Sequence, residues 1–153
     1  MMSEAGIEAV RTDEVGNVLG EWPGSGQSEK TIAVVAHLDT VFPEGTDVKI
    51  RREGERLLAP GIGDDTRGLV LMLTVIRAMK RADIKMKANV LFVGSVGEEG
   101  LGDLRGVKHL FRDGGPRIDE FIAVDGGSTD RVLNHATGSH RYRITFKGPG
   151  GHS

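Results

Sequence analysis

The stretch TIAVVAHLD, residues Thr31–Asp39, decides the fold class. Every residue before His37 is apolar or β-branched, and the run turns polar only at His37 and Asp39. A short, nearly all-apolar run is typical of a parallel strand that helices cover on both faces. We therefore predict a buried strand that carries a histidine and an aspartate at its carboxyl end.

Two other stretches have the same character, ANVLFVGSV (Ala88–Val96) and EFIAVD (Glu120–Asp125), and each predicts a further buried strand. A helix is predicted to start at Asp64, because apolar residues recur at i, i+3, i+4, i+7 and i+10. Those residues are Leu69, Met72, Leu73, Ile76 and Met79. Val70, Leu71 and Val75 widen the apolar face and predict deep burial of the helix.

Weaker patterns predict the remaining elements. They are a strand at Asn17–Trp22, a hairpin within Asp47–Pro60, a helix at Leu101–Phe111 and a strand at Arg141–Gly148 with one solvent-exposed face. Strands thus alternate with helices, which predicts a three-layer α/β/α domain with a mixed, largely parallel sheet. A boundary near Thr137–Gly138 would divide a catalytic domain, residues 1–138, from the first strand of a second domain, residues 139–153.

The composition excludes several classes of protein. Acidic and basic residues number 22 and 20, so no basic surface for nucleic acid is expected. Cysteine is absent, which excludes disulfides and thiolate metal sites and suits a cytoplasmic protein. The longest apolar run, near residues 69–76, is too short to span a bilayer. We expect neither a nucleic-acid nor a membrane partner.

The acids and one histidine fall where a buried strand ends or the long helix begins. They are His37, Asp39, Asp64, Glu98, Glu99 and Asp125. Ligands of open α/β sheets bind at the carboxyl ends of the strands, so these side chains should meet at one edge. So many carboxylates together need compensating cations. Imidazole and carboxylate donors suit zinc, cobalt or manganese, and two metals sharing one carboxylate would satisfy the group.

Each motif also has an ordinary structural explanation. His37 alone fits a hydrogen-bonded core histidine, GEEG (Gly97–Gly100) a solvated turn, and Asp125 a turn that ends a strand. GIGDDTRG (Gly61–Gly68) fits a turn with a helix cap; as a phosphate loop it lacks the Lys-Ser/Thr pair, and its aspartates would repel phosphate. These explanations would have to coincide at one sheet edge, which favours a metal site.

Five motifs carry a resemblance to a known family. In order they are AHLDTVFPEG, LLAPGIGDDTRGL, LFVGSVGEEGLGDLRG, AVDGG and FKGPGGHS. From Asp13 to the last residue the chain resembles the dinuclear zinc exopeptidases and deacylases that include carboxypeptidase G, tripeptidase T, aminoacylase and acetylornithine deacetylase. The resemblance implies metal-dependent hydrolysis of peptide or other amide bonds, with small peptides or N-acyl amino acids as substrates. It also implies two zinc ions, or cobalt or manganese, and a homodimer at full length.

The resemblance implies a role for each ligand. His37 and Asp125 would bind the first metal, Glu99 the second, and Asp64 would bridge the two. Asp39 would orient His37 without itself binding a metal. Relatives have a cis peptide after the bridging aspartate, so Asp64–Asp65 is expected to be cis.

The implied catalytic residues are Glu98, His152 and Asp39, the last acting by orienting His37. Glu98 would take a proton from a water that the two metals activate and return it to the leaving amine. His152 would reach the partner subunit's active site and stabilise the oxyanion. An aspartate at position 125 goes with aminopeptidases of this family, and a glutamate with carboxypeptidases and deacetylases, which favours a tripeptidase-like aminopeptidase.

The chain departs from the family pattern at both ends. Relatives have a longer N-terminal segment, most of a dimerisation domain after the GGHS motif, and another metal-ligating histidine near the C-terminus. His109, His135 and His140 do not match that histidine and are expected to be structural or exposed. We expect the chain to be the front-middle part of such an enzyme. The alternatives are a non-catalytic fragment, a deacylase or carboxypeptidase of the same family, and, from another class, a nucleotide-binding module, for which no acid-free phosphate loop is found.

Overall fold

The computed structural model describes residues 1–126 and 130–151, and His152 lies outside the described residues. The helices are α1 (Met2–Ala5), α2 (Arg67–Arg81) and α3 (Arg105–Leu110). The strands are β1 (Ala9–Thr12), β2 (Val18–Trp22), β3 (Thr31–His37), β4 (Arg51–Glu53), β5 (Arg56–Leu58), β6 (Asn89–Ser95) and β7 (Glu120–Ala123). Within the described residues, no helix is long and apolar enough to cross a membrane.

A five-stranded mixed sheet in the order β1-β2-β6-β3-β7 forms the centre of the fold. β3 runs parallel to both β6 and β7, whereas β2 is antiparallel to β6 and to β1. The register pairs His37 with Ser95 and Val35 with Ala123. The three parallel strands therefore end at the same edge, as the sequence predicts.

Alternate residues of the central strands pack into two separate hydrophobic cores, one on each face of the sheet. Phe92 and Ala36 pack with α1 and α2 on one face, around Met72 and Ile76. On the other face lies a second core, made of Leu19, Ala33, Val35, Leu91, Val93 and Leu110, the last of which belongs to α3. This alternation is the period-2 signature of a strand, and it produces the predicted three layers.

Two predictions of burial are wrong. Phe121 and Ile122 of β7 are 39% and 51% exposed, because among the described strands β7 lies at the edge of the sheet and pairs with β3 alone. Val70, Leu71 and Val75 point away from the sheet and are 54%, 52% and 41% exposed. The core-facing stripe of α2 is thus narrower than its apolar composition suggests.

The strand predicted at residues 141–148 is absent: described residues 130–151 contain neither helix nor strand and are exposed. A lone strand gains its stability from cross-strand pairs, and no described segment pairs with this one. Conversely, α1 and β1 form although no pattern predicted them. The hairpin of β4 and β5 lies within the predicted range Asp47–Pro60.

Candidate metal centre

The residues predicted to meet at the sheet edge do meet there. His37 is the last residue of β3, and Glu98 and Glu99 lie in the loop that follows β6. Asp125 lies two residues beyond the end of β7. Asp64 lies in the turn Ile62–Thr66 before α2, with an extended backbone (φ −132°, ψ 101°).

His37 occupies the middle of the group, with 3% of its side chain exposed. Its Nδ1 lies 2.9 Å from the main-chain oxygen of Asp39, and because a carbonyl only accepts, Nδ1–H is the donor. Nε2 therefore faces the carboxylates, at 2.7 Å from Oδ1 of Asp64 and 3.8 Å from Oδ1 of Asp125. Histidine ligands are held this way, with one ring nitrogen fixed by a hydrogen bond and the other free for a metal.

Nε2 of His37 and the Asp64 carboxylate need a positive charge between them. Burial alone would lower the pKa of His37, but the hydrogen bond to Asp64, the Asp39 carbonyl and the nearby charges of Asp65 and Asp125 outweigh burial and raise it. A proton meets this need when the imidazole is charged, and a divalent cation can meet it instead.

Two groups of donor atoms lie close enough to hold an ion. One atom each from His37, Asp64 and Glu99 lie within 4.8 Å of one another, and so do atoms of His37, Asp65 and Asp125. The set is nitrogen and oxygen without sulfur, which fits zinc, cobalt or manganese. The residues present therefore fit the metal that the resemblance implies.

Asp65 is fully buried, and both of its carboxylate oxygens already accept backbone hydrogen bonds. It is 1% exposed, Oδ2 accepts the N–H of His37 at 3.0 Å, and Oδ1 accepts the N–H of Gly68 at 3.0 Å. Burial raises its pKa. The bond to Gly68 caps the first turn of α2, as the helix-cap interpretation of GIGDDTRG predicts, and the bond to His37 has no counterpart in the sequence pattern. The Asp64–Asp65 peptide is cis, as the resemblance implies.

Asp39 contacts both the histidine and the glutamate loop. Its carbonyl, rather than its carboxylate, accepts from His37; the nearer carboxylate oxygen is 3.9 Å from Nδ1. The carboxylate instead accepts the N–H of Glu98 at 3.2 Å and of Glu99 at 3.0 Å. Burial works against the charged form, but these two backbone hydrogen bonds outweigh it and lower the pKa of Asp39.

Glu98 has the electrostatic setting of a proton acceptor. Its side chain is half-buried beside the cluster, and burial, together with the negative charges of Asp125, Glu99 and Asp39, raises the pKa of its carboxyl against the opposing effect of His37. A carboxyl that is tuned upward accepts a proton more readily near neutral pH.

None of the other described histidines belongs to either group of donor atoms. His109, on α3, is near Asp13, with Nε2 3.9 Å from Oδ2. His135 and His140 are exposed. These placements agree with the structural or exposed status expected of the three.

Known peptidases resemble this chain in sequence and in fold. The model of peptidase family M20/M25/M40 matches residues 33–148. Carboxypeptidase G2 of Pseudomonas sp. (strain RS-16) is 25% identical over 159 residues, which cover 99% of this chain and 38% of that protein.

Among solved structures, aminopeptidase PepT from Bacillus cereus ATCC 10987 is similar with a TM-score of 0.66 and 27% identity, over 83% of this chain and 36% of that chain. A tripeptidase from Staphylococcus aureus subsp. aureus Mu50, 24% identical with a TM-score of 0.65 and the same coverage of 83% and 36%, shares the fold. The chain thus spans little more than a third of the length of these relatives. Because the family model covers most of its length, from within β3 to the residues beyond β7, the chain belongs to peptidase family M20/M25/M40.

Proposed function

We propose that this chain carries the metal-binding and proton-transfer residues of a hydrolase that cleaves peptide bonds, an exopeptidase of the tripeptidase and aminopeptidase type. The observation that carries the proposal is the convergence of donor atoms from His37, Asp64 and Glu99 within 4.8 Å, beside the raised-pKa carboxyl of Glu98. Membership of a peptidase family supports the reaction class.

In this proposal the site holds two zinc ions. His37 and Asp125 would hold the first, Glu99 would hold the second, and Asp64 would serve both. Asp65 is left out of the ligand set because its oxygens already accept two backbone N–H groups. When bound, the metals would polarise the scissile carbonyl and acidify the attacking water.

The chain's own residues handle the proton. Glu98 accepts a proton from the attacking water and delivers it to the leaving amine nitrogen. Asp39 holds Glu98 and Glu99 in place through their backbone amides. His152, outside the described residues, is proposed to stabilise the oxyanion in the partner subunit of a homodimer.

Three observations bear on the substrate. The aspartate at position 125 and the 27% identity with an aminopeptidase support small peptides cut from the amino end. The 25% identity with a carboxypeptidase supports a second candidate, a carboxypeptidase or N-acyl-amino-acid deacylase on the same site.

Zinc titration of the 153-residue chain, combined with peptide hydrolysis assays, tests the assignment. Since only His37, Asp64, Glu99 and Asp125 are proposed as ligands, we expect weak zinc binding and slow turnover of tripeptides. Glu98→Gln should keep zinc binding and abolish turnover, and Asp64→Ala should lose zinc binding. Asp113→Asn, at an exposed acid away from the cluster, is the control and should change neither.

The outcomes separate the candidate functions. Zinc binding unchanged by Asp64→Ala would sink the ligand assignment. Zinc binding without turnover of tripeptides, dipeptides or N-acyl amino acids would favour the non-catalytic alternative. Faster cleavage of an N-acyl amino acid than of a tripeptide would favour the deacylase.

A further inference from the structure

Asn17 is the most deeply buried polar residue outside the cluster, at 0% exposure. It ends the turn between β1 and β2, where the Asp13 carboxylate accepts the N–H groups of Val15, Gly16 and Asn17 at 3.1, 3.0 and 2.8 Å. These hydrogen bonds hold the turn and the Asn17 backbone independently of the contacts that the Asn17 side chain makes.

The Asn17 side chain joins two points of another segment. Oδ1 accepts the N–H of Val96 at 3.1 Å, and Nδ2 donates to the carbonyl of Gly106 at 3.0 Å and to Oδ2 of Asp13 at 2.7 Å. Its orientation is unambiguous, because the reversed amide would point oxygen at two acceptors and nitrogen at a donor.

Val96 begins the loop that carries Glu98 and Glu99, and Gly106 lies in the first turn of α3, directly after that loop. The N–H of Gly106 also donates to the carbonyl of Val96 at 2.9 Å, so the loop is closed at its base. A Cβ on Gly106 would come within 2.3 Å of Oδ1 of Asn17 and 2.5 Å of the Val96 oxygen. Glycine is therefore the residue that allows this closure.

The same loop is held at its tip by the Asp39 carboxylate, which accepts the amides of Glu98 and Glu99. Asp39 thus fixes the tip and Asn17 the base. A loop restrained at one point alone can pivot about it, whereas two separate restraints define the position of the side chains between them.

We propose that Asn17 is a positioning residue for Glu98 and Glu99: it clamps the base of their loop so that one glutamate is placed as a metal ligand and the other as the proton acceptor. The functional half of this inference rests on the proposed hydrolase function. Loss of a residue that holds metal ligands in position, without itself binding the metal, is expected to weaken metal affinity about ten- to hundredfold.

Asn17→Ala and a matched control, Asn89→Ala, test the clamp. Asn89 starts β6, the strand that leads to the glutamate loop, at its opposite end, and its Oδ1 accepts the N–H of Gly24 at 2.9 Å. Both variants lose an asparagine side chain bonded to backbone, but only Asn17 touches the glutamate loop. Amide hydrogen exchange is measured by NMR on the full chain without metal, and zinc affinity is measured by competition with a chromophoric chelator.

We expect Asn17→Ala to speed exchange at the Glu98 and Glu99 amides by about tenfold or more, the equivalent of one lost hydrogen bond, and Asn89→Ala to leave them unchanged. Zinc affinity should fall by about tenfold or more for Asn17→Ala alone. Equal exchange at Glu98 and Glu99 in the two variants would overturn the proposal, even if both were less stable than the wild type.

The wild-type protein itself tests the clamp if Asn17→Ala does not fold. The amides of Val96, Glu98 and Glu99 should then exchange through one common opening event, so their exchange rates should depend on urea concentration in the same way. Faster exchange at the two glutamates, independent of Val96, would refute the clamp. Absence of zinc binding in the wild type would count against the proposed hydrolase function, while the exchange data would still decide the positioning role.

Discussion

At the scale of single residues, the cluster depends on acids that are not themselves proposed as ligands. Asp65 ties the backbone of His37 to the first turn of α2, and Asp39 ties the His37 ring to the glutamate loop. Each carboxylate accepts from two different backbone amides. Such groups hold the ligands in place through hydrogen bonds that cost free energy when broken.

The first prediction concerns Asp65, which is fully buried. Asp65→Asn removes one of two acceptors and turns a donor toward a backbone N–H, leaving that N–H unsatisfied. The free energy of unfolding should fall by about 1–3 kcal/mol, measured by urea denaturation at pH 7. Asp113→Asn, on an exposed acid, should change it by less than about 0.5 kcal/mol. Equal urea concentrations at the unfolding midpoint for the two variants would contradict the role given to Asp65.

The second prediction concerns pH and Asp13. Burial opposes its charge, but hydrogen bonds from the Asn17 side chain and from the amides of the turn outweigh burial and lower its pKa. A lowered folded pKa means that the carboxylate contributes stability above its unfolded pKa of about 3.9, and that this contribution is lost as pH falls through the folded value.

Asp13→Asn should therefore destabilise the chain at pH 7 by about 1–3 kcal/mol. The difference from the wild type should shrink as pH falls below about 4, because the unfolded wild-type chain then takes up a proton that the folded carboxylate resists, and this uptake favours unfolding. Urea unfolding at several pH values measures this. A difference that stays constant from about pH 7 to about pH 3 would refute the assignment.

At the scale of elements, the start of α2 is set by close backbone approach. A Cβ on Gly68 would come within 2.2 Å of Oδ1 of Asp65 and of the Val124 carbonyl. The amino end of α2 thus lies directly against both the metal-site turn and the residues that lead from β7 to Asp125. Only a residue without a side chain fits there.

The third prediction follows for Gly68→Ala. Alanine gains up to about 1 kcal/mol in helix propensity, but overpacking at this contact costs about 1–3 kcal/mol, so a net loss of stability is expected. Gly138→Ala, which has nothing within 4 Å of the added Cβ, is the control. Thermal unfolding measures both, and a Gly68→Ala chain more stable than the control would contradict the packing described.

The elements that could be predicted from sequence are those whose apolar residues form a clear pattern. β3, β6 and α2 carry long apolar runs or regular spacing, and the edge where His37 and Glu98 meet follows from parallel strand order. α1 and β1 have four residues each, too few to show a period. The bond from Asp65 to His37 spans 28 residues and that from Asn17 to Val96 spans 79, and hydrogen bonds at such separations leave no local sequence signal.

At the scale of the whole molecule, large apolar side chains are exposed in several places. Besides the outer face of α2 and the edge strand β7, Phe111 is 57% exposed and packs on Phe121, with ring centroids 5.8 Å apart. Apolar patches and open edge strands both promote association between chains.

The fourth prediction is that the isolated chain associates as its concentration rises. Ile122→Lys places a charge on the edge strand and should shift the association to higher concentration. Val132→Lys changes a 94% exposed residue that lies outside the strands and should have little effect. Sedimentation velocity measures all three proteins. A wild-type chain that stays monomeric at every concentration would refute this account of the surface.

The central claim is that His37 and Asp64 share a metal at the edge of the sheet. Anomalous diffraction at the zinc edge from crystals of the zinc-loaded chain tests it directly. We predict a peak within about 2.0–2.2 Å of Nε2 of His37 and of an Asp64 oxygen, with Asp125 completing the coordination. Saturating zinc with no anomalous peak between His37 and Asp64 would contradict the account.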